Sequence, residues 1–502
     1  MSKSRILFVT PPYHCGVVEA AGHWIPMTFV YLAGAARDAG LEPVIYDAMT
    51  RRCSHADIAK VIEETKPDYV ATTAITSTVV DALTVLESAK KVNPEVITLI
   101  GGVHPTFMCE ETLQNKAVDY VVRDEGEETL RVLLRCLEEN GDPAQVAGIA
   151  YRADGRVVRT PARPFVKDLD ALTTAWDLIE WKDYTLFVMP GSRLGAVNTS
   201  RGCNHDCKFC SQQKFWQKTW RGRDPGKVAA ELEMLKSRYG MNVVLFSDEY
   251  PTRDAKHWED LLDVLIKKKL GISILMETRP EDIVRDKNIL HKYREAGVIH
   301  VYVGVEATDQ ETLDLIKKDV SVQNGMDAIR LLDENGIITE TSFILGFPHE
   351  TKETVERTLR LSKIYNPDFA HYLALAPWPY ADMYKELEPY VVDKDYRKYN
   401  LIDPVIKPIN MSREDIDWAI INCYRSFYMD KLREVLNVKD AFKRDYLLRS
   451  MKLIMSSSFI TEKLGTLGKL PPEMAAAIKA ISAAHPDTTG SGHPGIIPHS
   501  AR

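Results

Sequence analysis

The stretch Cys203-Asn204-His205-Asp206-Cys207-Lys208-Phe209-Cys210 sets three thiols at CxxxCxxC spacing in one short loop. Thiols this close in sequence can converge on a single metal centre. A structural zinc site closes with four ligands, so it would need a distant fourth, such as His205 or Cys423. An iron–sulfur cluster fits the same three thiols differently: each holds one iron, and a fourth iron stays open for a substrate-like ligand. The spacing by itself leaves both readings standing, and the flanking sequence has to separate them.

With 502 residues the chain is too long for one compact core, and two or three domains are expected. The formal net charge is −7, from 64 basic against 71 acidic residues, which argues against a general nucleic-acid binder. Eight cysteines, three of them in the one loop, are too few for a disulfide scaffold and fit a reducing cytoplasm. Met1 to Arg5 leads directly into an apolar run, so no signal peptide is expected. No run approaches the roughly 18 apolar residues of a membrane helix, so no stable membrane insertion is expected either.

Residues 1–145 alternate strand and helix signals. Strands are predicted at Arg5–Thr10, Glu42–Asp47, Asp68–Thr73, Glu95–Ile100 and Asp119–Val122. The intervening segments carry helical patterns, and Glu125 to Glu139 supplies a closing helix. This order predicts a doubly wound, Rossmann-like parallel sheet with ligands at the carboxyl ends of its strands. Those ends are rich in small and polar groups: Thr72, Thr73, Thr76, Ser77, Gly101 and Gly102. Turn and helix-cap chemistry accounts for them equally well, and no GxGxxG is present.

Residues 146–190 read as a linker containing a hairpin, Ala147 to Arg159. From 191 to 385, strand–helix repeats about every 30 residues predict a partial (β/α)6 barrel, an open relative of the closed eightfold barrel. Gly195–Arg201 is the strand that delivers the cysteine loop. Residues 386–483 turn helical, with a capped start at Met411-Ser412 and an amphipathic stretch from Phe442 to Ser457 expected to pack over the barrel. A tail from 484 to 502, rich in Gly, Pro, Ser and His, reads as disordered.

The cysteine spacing, set at the start of a barrel, resembles the signature of radical S-adenosylmethionine (SAM) enzymes. The resemblance implies a [4Fe–4S] cluster on Cys203, Cys207 and Cys210 whose open iron SAM chelates. It puts Asp248 and Glu249 where the family binds the SAM amino group, although this sequence lacks the usual glycines there. Arg279 suits a bidentate hold on the SAM carboxylate and Glu277 the ribose hydroxyls. Gly304 and Glu306, with Gly346, lie on strands that match the family's SAM-adenine strands. Before such a barrel, the first domain resembles the cobalamin-binding module of B12-dependent members, with Thr72, Thr73, Thr76, Gly101 and Gly102 at the corrin. Many such modules carry Asp-x-His-x-x-Gly after the second strand. Here Asp47-Ala48-Met49-Thr50-Arg51-Arg52 replaces it, so no imidazole on cobalt is expected.

Further stretches sharpen the resemblance: the cysteine loop with its Phe-Cys-Ser-Gln-x-Lys-Phe-Trp continuation, Tyr13-His14, Ala21-Gly22-His23-Trp24, Ala376-Pro-Trp-Pro, Tyr399-Asn-Leu-Ile-Asp-Pro and Tyr424–Met429. In one order over residues 5–470, they look like the anaerobic magnesium-protoporphyrin IX monomethyl ester oxidative cyclases. Cys15-Gly16-Val17 departs from the expected Ser-Gly-Gly. The resemblance implies a small-molecule substrate, a tetrapyrrole, and a reducing electron donor such as flavodoxin or ferredoxin. Two aromatic segments, 214–220 and 376–380, suit a flat substrate or the corrin face. The alternative is a B12-dependent C- or P-methyltransferase using methylcobalamin. A sensor without turnover has no need of a complete barrel, and a methylthiotransferase would need a second three-cysteine set.

Overall fold

The computed structural model describes residues 3–13 and 22–455. The segment Cys15-Gly16-Val17, most of the 13–24 resemblance region, and the expected tail lie outside the described residues. Continuous apolar runs build the centre of the first sheet: Ile6, Leu7, Phe8 and Val9 are all fully buried. Its strands are β1 (Arg5–Val9), β2 (Glu42–Tyr46), β3 (Tyr69–Thr73), β4 (Ile97–Gly101), β5 (Tyr120–Val122), β6 (Ile149–Ala153) and β7 (Arg156–Arg159). They lie in the order β2-β1-β3-β4-β5-β6-β7. The pairs among β1 to β5 are parallel. β6 and β7 add an antiparallel edge, so the hairpin placed with the linker in the sequence forms part of this sheet.

The second sheet holds β8 (Leu194–Val197), β11 (Val243–Phe246), β12 (Ser273–Thr278), β13 (Val298–Glu306), β14 (Ile338–Leu345) and β15 (Phe369–Ala374), all parallel and in sequence order across the sheet. This is the expected six-stranded partial barrel. The single strand predicted over Gly195–Arg201 is broken at Asn198-Thr199. β9 (Ser200–Arg201) pairs separately, antiparallel to β10 (Arg221–Gly222). The break has a cause. The buried Asp248 carboxylate accepts from the Thr199 N–H at 3.0 and 2.9 Å and its hydroxyl at 2.8 Å, and from the Ser200 hydroxyl at 2.6 Å. That pulls the chain out of the sheet just before the cysteine loop. Helix ends follow local chemistry: Pro225–Tyr239 starts on the Asp224 cap and stops at Gly240, φ +74°.

The helices Arg413–Val435 and Ala441–Met455 close the lower side of the barrel. Glu340 on β14 faces two histidines from neighbouring strands: His300 Nε2 at 2.8 Å and His371 Nε2 on the other side. The helices reach these rings, with Tyr446 Oη 2.9 Å from His300 Nδ1 and Tyr424 Oη 3.3 Å from His371 Nδ1. Burial would push the Glu340 carboxyl up, but the two histidines hold it far below the usual carboxylate range. The stretch from Phe442 packs over the barrel as expected, with Leu447 and Met451 in the main core. Among the described residues no helix is long and apolar enough to cross a membrane.

The two sheets meet with their carboxyl ends toward each other, and a buried ion cluster fixes the meeting. Glu125, just before the helix Gly126–Glu138, accepts from Arg201 at 2.7 Å and from Arg221 at 3.0 Å, and takes the Val166 N–H at 2.7 Å. Arg201 also pairs with Glu127 at 2.8 Å and lies 4.9 Å over the Tyr31 ring. Burial alone would push the Glu125 carboxyl up; the Arg221 hydrogen bond and the two guanidinium charges outweigh it and hold the group low. Its contribution is therefore present at neutral pH and is lost as pH falls below the carboxylate range. Breaking a buried pair by removing one partner costs roughly 3–5 kcal/mol, because the other charge stays buried. Glu125→Gln is expected to lower the urea midpoint of the apo chain, followed by tryptophan fluorescence, by that order of free energy. An unchanged midpoint would show that this cluster does not hold the halves together.

Candidate active site

Between the facing strand ends lies a cavity of about 680 Å³. Its floor is the first sheet: Thr72 and Thr73 at the end of β3, and Gly101 and Gly102 at the end of β4. Its roof is the barrel mouth, with Asn198, Arg201, Ser247 and Glu249, and Phe215 and Trp216 lean in from behind the cysteine loop. The volume lies within the roughly 300–1,000 Å³ of small-molecule and cofactor sites. Gly102 is held at φ +99°, and a Cβ there would lie 2.5 Å from the Ala74 carbonyl oxygen, so the backbone fold at this floor admits only glycine.

The other floor residues divide. Thr72 donates its hydroxyl to the Val9 carbonyl at 2.9 Å and is buried in the sheet as well as lining the cavity. Thr76 points elsewhere: its hydroxyl meets Tyr380 Oη at 2.9 Å and His104 Nδ1 at 3.1 Å. It is a rivet between the first domain and the segment after the barrel. The two aromatic segments part in the same way, since Phe215 and Trp216 reach the cavity while Tyr380 stacks on Phe107 at 5.1 Å. Asp47 accepts from Thr10 at 2.8 Å and from Tyr184 at 2.9 Å, and Met49 lies outside the cavity, 36% exposed. None of the described lining residues is a histidine. His55 opens a helix and pairs with Asp81 at 3.1 Å.

The cysteine loop sits at the barrel mouth. Burial pushes the Cys210 thiol up to about 12, and raises Cys203 too, with the neighbouring thiols adding to both. Thiols in such a place ionise only with strong positive charge beside them, a metal above all. Among the described residues no three His, Cys, Asp or Glu side chains converge as ligands of one ion. The three thiolates of a cubane cluster each take a different iron, and such a set stands wider than the ligands of one ion. Neither suggested fourth zinc ligand is held ready. His205 lies against Tyr250, ring centroids 5.2 Å apart and tilted at 57°, and Cys423 is fully buried among the C-terminal helices and the barrel wall, with Glu350 and Lys363 as its charged neighbours.

Inside the barrel, four acids gather below the loop. Asp248 is pushed up to about 6, first by burial, and its hydrogen bonds are all spent on the Thr199–Ser200 turn. Glu249 takes the Gly202 N–H at 3.1 Å and Trp216 Nε1 at 2.8 Å, so it ties the loop to the aromatic segment. Glu277 on β12 keeps open surface although protein atoms crowd around it, with Glu249, Asp248, Glu306 and Lys318 as its charged neighbours. Burial first, then the charges of Glu249, Asp248 and Glu306, push it up to about 8. Glu306, at φ +67° where the β13–β14 register shifts, pairs with Lys318 at 3.0 Å.

Several expected contacts are occupied from within. Arg279 is buried, donates to the Lys318 carbonyl at 2.6 Å and the Asp319 carbonyl at 3.2 Å, pairs with Glu281, and lies 3.7 Å from Cys207 Sγ. The space over Gly304 is filled by Lys318 Nζ, 2.9 Å from where a Cβ would stand. At Gly346 a Cβ would meet nothing nearer than 3.7 Å, and φ is +96°. Its N–H and that of Phe347 are capped by the buried Glu350. No sequence motif marks Glu125, Glu127, Arg201, Arg221 or Lys318 as site residues. Only Arg201 carried a signal, as a charge at the end of an apolar strand, one residue before the Gly-Cys of the loop.

Comparison with known proteins bears on all of this. Residues 197–362 match the radical SAM superfamily and residues 13–134 the B12 binding domain. The chain is 39% identical over 478 residues to the anaerobic magnesium-protoporphyrin IX monomethyl ester cyclase of Rubrivivax gelatinosus, covering 93% of this chain and 86% of that one. It is 32% identical over 448 residues to an uncharacterized methyltransferase of Pyrococcus horikoshii, covering 88% of this chain and 96% of that one. In fold it matches the cobalamin-dependent SAM radical enzyme OxsB, with a TM-score of 0.69 at 15% identity, over 97% of this chain and 84% of that one. The chain therefore belongs to the cobalamin-dependent radical SAM enzymes, whose cofactors are a [4Fe–4S] cluster, SAM and cobalamin.

Proposed function

We propose that the chain carries out the oxidative cyclisation that forms the isocyclic ring of a magnesium-protoporphyrin IX monomethyl ester. The observation that carries this reading is the 39% identity to a cyclase across nearly the whole chain, above the 32% shared with a methyltransferase over a similar span. In this reading Cys203, Cys207 and Cys210 hold the cluster. Glu249, Glu277 and Glu306 surround SAM, while Arg279 and Gly304 act through Cys207 and Lys318 rather than by touching it. Thr72, Thr73, Gly101 and Gly102 bed the corrin in the cavity. Residues 1–145, 146–190, 191–385 and 386–483 serve as corrin domain, link, radical barrel and helical cover, the Ile149–Arg159 hairpin going with the corrin sheet. Low-potential electrons come from a flavodoxin or ferredoxin in the cytoplasm.

When bound, the cofactors supply a radical able to take hydrogen from an unactivated carbon. The chain's own residues do the rest. The ion cluster at Glu125 joins the two halves beside the cavity, Trp216 and Phe215 give the cavity apolar lining with their rings set edge to face, and the acids of the barrel interior favour a cationic ligand. SAM carries both a sulfonium and an ammonium charge, which suits an interior where Glu277 stands among Glu249, Asp248 and Glu306.

A cyclase uses SAM only as radical source, whereas a methyltransferase passes its methyl group on by way of cobalt. Incubation of the reconstituted enzyme with methyl-labelled SAM, magnesium-protoporphyrin monomethyl ester and labelled water is expected to give ketone product with oxygen from water and no labelled methyl. Labelled methyl in product would overturn the cyclase in favour of the methyltransferase. Glu277 adds a pH signature. It is largely protonated in the empty site at pH 7, and a cationic ligand favours its charged form, so SAM affinity should rise between about pH 6 and 8 with proton release on binding. Titration calorimetry in buffers of different ionisation enthalpy reads this directly. The same pH slope in Glu277→Gln would remove Glu277 from the SAM site.

A further inference from the structure

Behind the cysteine loop the residues Ile316 to Asp319 form a turn that follows the end of the helix Gln310–Leu315. Lys317 and Asp319 both sit in the left-handed region, at φ +50° each, although neither is glycine. The turn is laced to the loop and to Arg279. Lys208 donates its N–H to the Ile316 carbonyl at 2.9 Å, and Arg279 holds the Lys318 and Asp319 carbonyls. The result is to drive Lys318 inward, 6% exposed, over the absent side chain of Gly304 and 5.9 Å above the ring of Phe209 inside the cysteine motif. Glu306 is its ion-pair partner among the described contacts. Two cations thus back one thiol cluster: Arg279 touching Cys207 Sγ, and Lys318 beside it.

A buried ammonium costs several kcal/mol to desolvate, and one carboxylate at 3.0 Å with a ring offsets only part of it. A cluster with three thiolates is anionic and gains one more negative charge on reduction. Positive charge fixed nearby favours that reduced form, because cluster potentials follow local net charge and hydrogen bonds to sulfur. We propose that Lys318, positioned by Arg279 and Gly304, is a potential-setting residue that raises the reduction potential of the cluster on Cys203, Cys207 and Cys210. The step concerned is the transfer of one electron from a low-potential one-electron reductant to the oxidised cluster, with no bond made or broken. The proposal rests on the cluster reading given above.

The test is an EPR-monitored redox titration of the reconstituted full chain without SAM, with iron and sulfide content measured on each sample. Lys318→Met is expected to cut the reduced fraction at a fixed negative potential by about tenfold, a shift of about 59 mV for one electron. Lys318→Arg should restore it to within a few-fold, and Glu306→Gln, which removes a negative charge, should shift the midpoint the other way. An unchanged midpoint in Lys318→Met at full cluster content overturns the proposal. If that variant fails to assemble a cluster, Glu306→Gln decides: a midpoint unchanged or lowered overturns it equally. Failure of the unsubstituted chain to take up any [4Fe–4S] cluster would instead sink the cluster reading itself.

Discussion

The ion cluster of Glu125 with Arg201 and Arg221 is the contact on which the rest of the site depends. Each half of the chain is a parallel sheet whose loops gather at its carboxyl end, and neither sheet alone encloses a cavity. Arg201 ends the short strand just before the cysteine loop, while Glu125 caps the helix that follows the fifth strand of the other sheet. Joining them brings Arg201 and Gln212, on either side of the loop, to the cavity whose floor holds Gly101 and Gly102. Because the charges are buried, the arrangement tolerates little slippage: displacement would strand two guanidiniums without a counter-charge. The chain after the barrel adds a second set of bolts, through the turn residue Tyr380 to Thr76 and through the helix residues Tyr446 and Tyr424 to the histidines.

The electrostatics of the site are opposed by design of placement. On the interior side stand Glu249, Glu277 and Glu306, where burial first and the neighbouring acids second push the Glu277 carboxyl up to about 8. On the far side of the cysteine loop stand Arg279 and Lys318. A cationic co-substrate is drawn to the first group and an extra electron on a cluster to the second. Glu306 belongs to both, since its carboxylate pairs with Lys318 and also accepts from Ser342 at 3.3 Å.

Much of this was legible in the sequence, and the rest was hidden for physical reasons. Apolar runs bounded by Gly and Pro gave the strands of both sheets to within a few residues, because strands buried on both faces leave continuous runs. Glu340 inside β14 looks out of place in a buried strand, because its two histidine partners come from neighbouring strands. The hairpin 149–159 reads as a linker because nothing local says which sheet it joins. At the site, motif position located Glu249, Glu277 and Glu306 but not what they touch. Arg279 was assigned to a ligand carboxylate on its chemistry alone, and in the fold its donors go to two carbonyls, Glu281 and Cys207. Lys318 and Glu125 gave no signal, as each matters only through partners far away in sequence.

The central claim is that one cavity brings the corrin under the cysteine loop, so that the two metal centres share a site. EPR of the enzyme loaded with Co(II) cobalamin and a reduced [4Fe–4S] cluster tests it most directly. A shared site predicts dipolar broadening and splitting of both signals, lost when the cluster is oxidised. A spectrum that is the plain sum of an isolated Co(II) signal and an isolated cluster signal would contradict it.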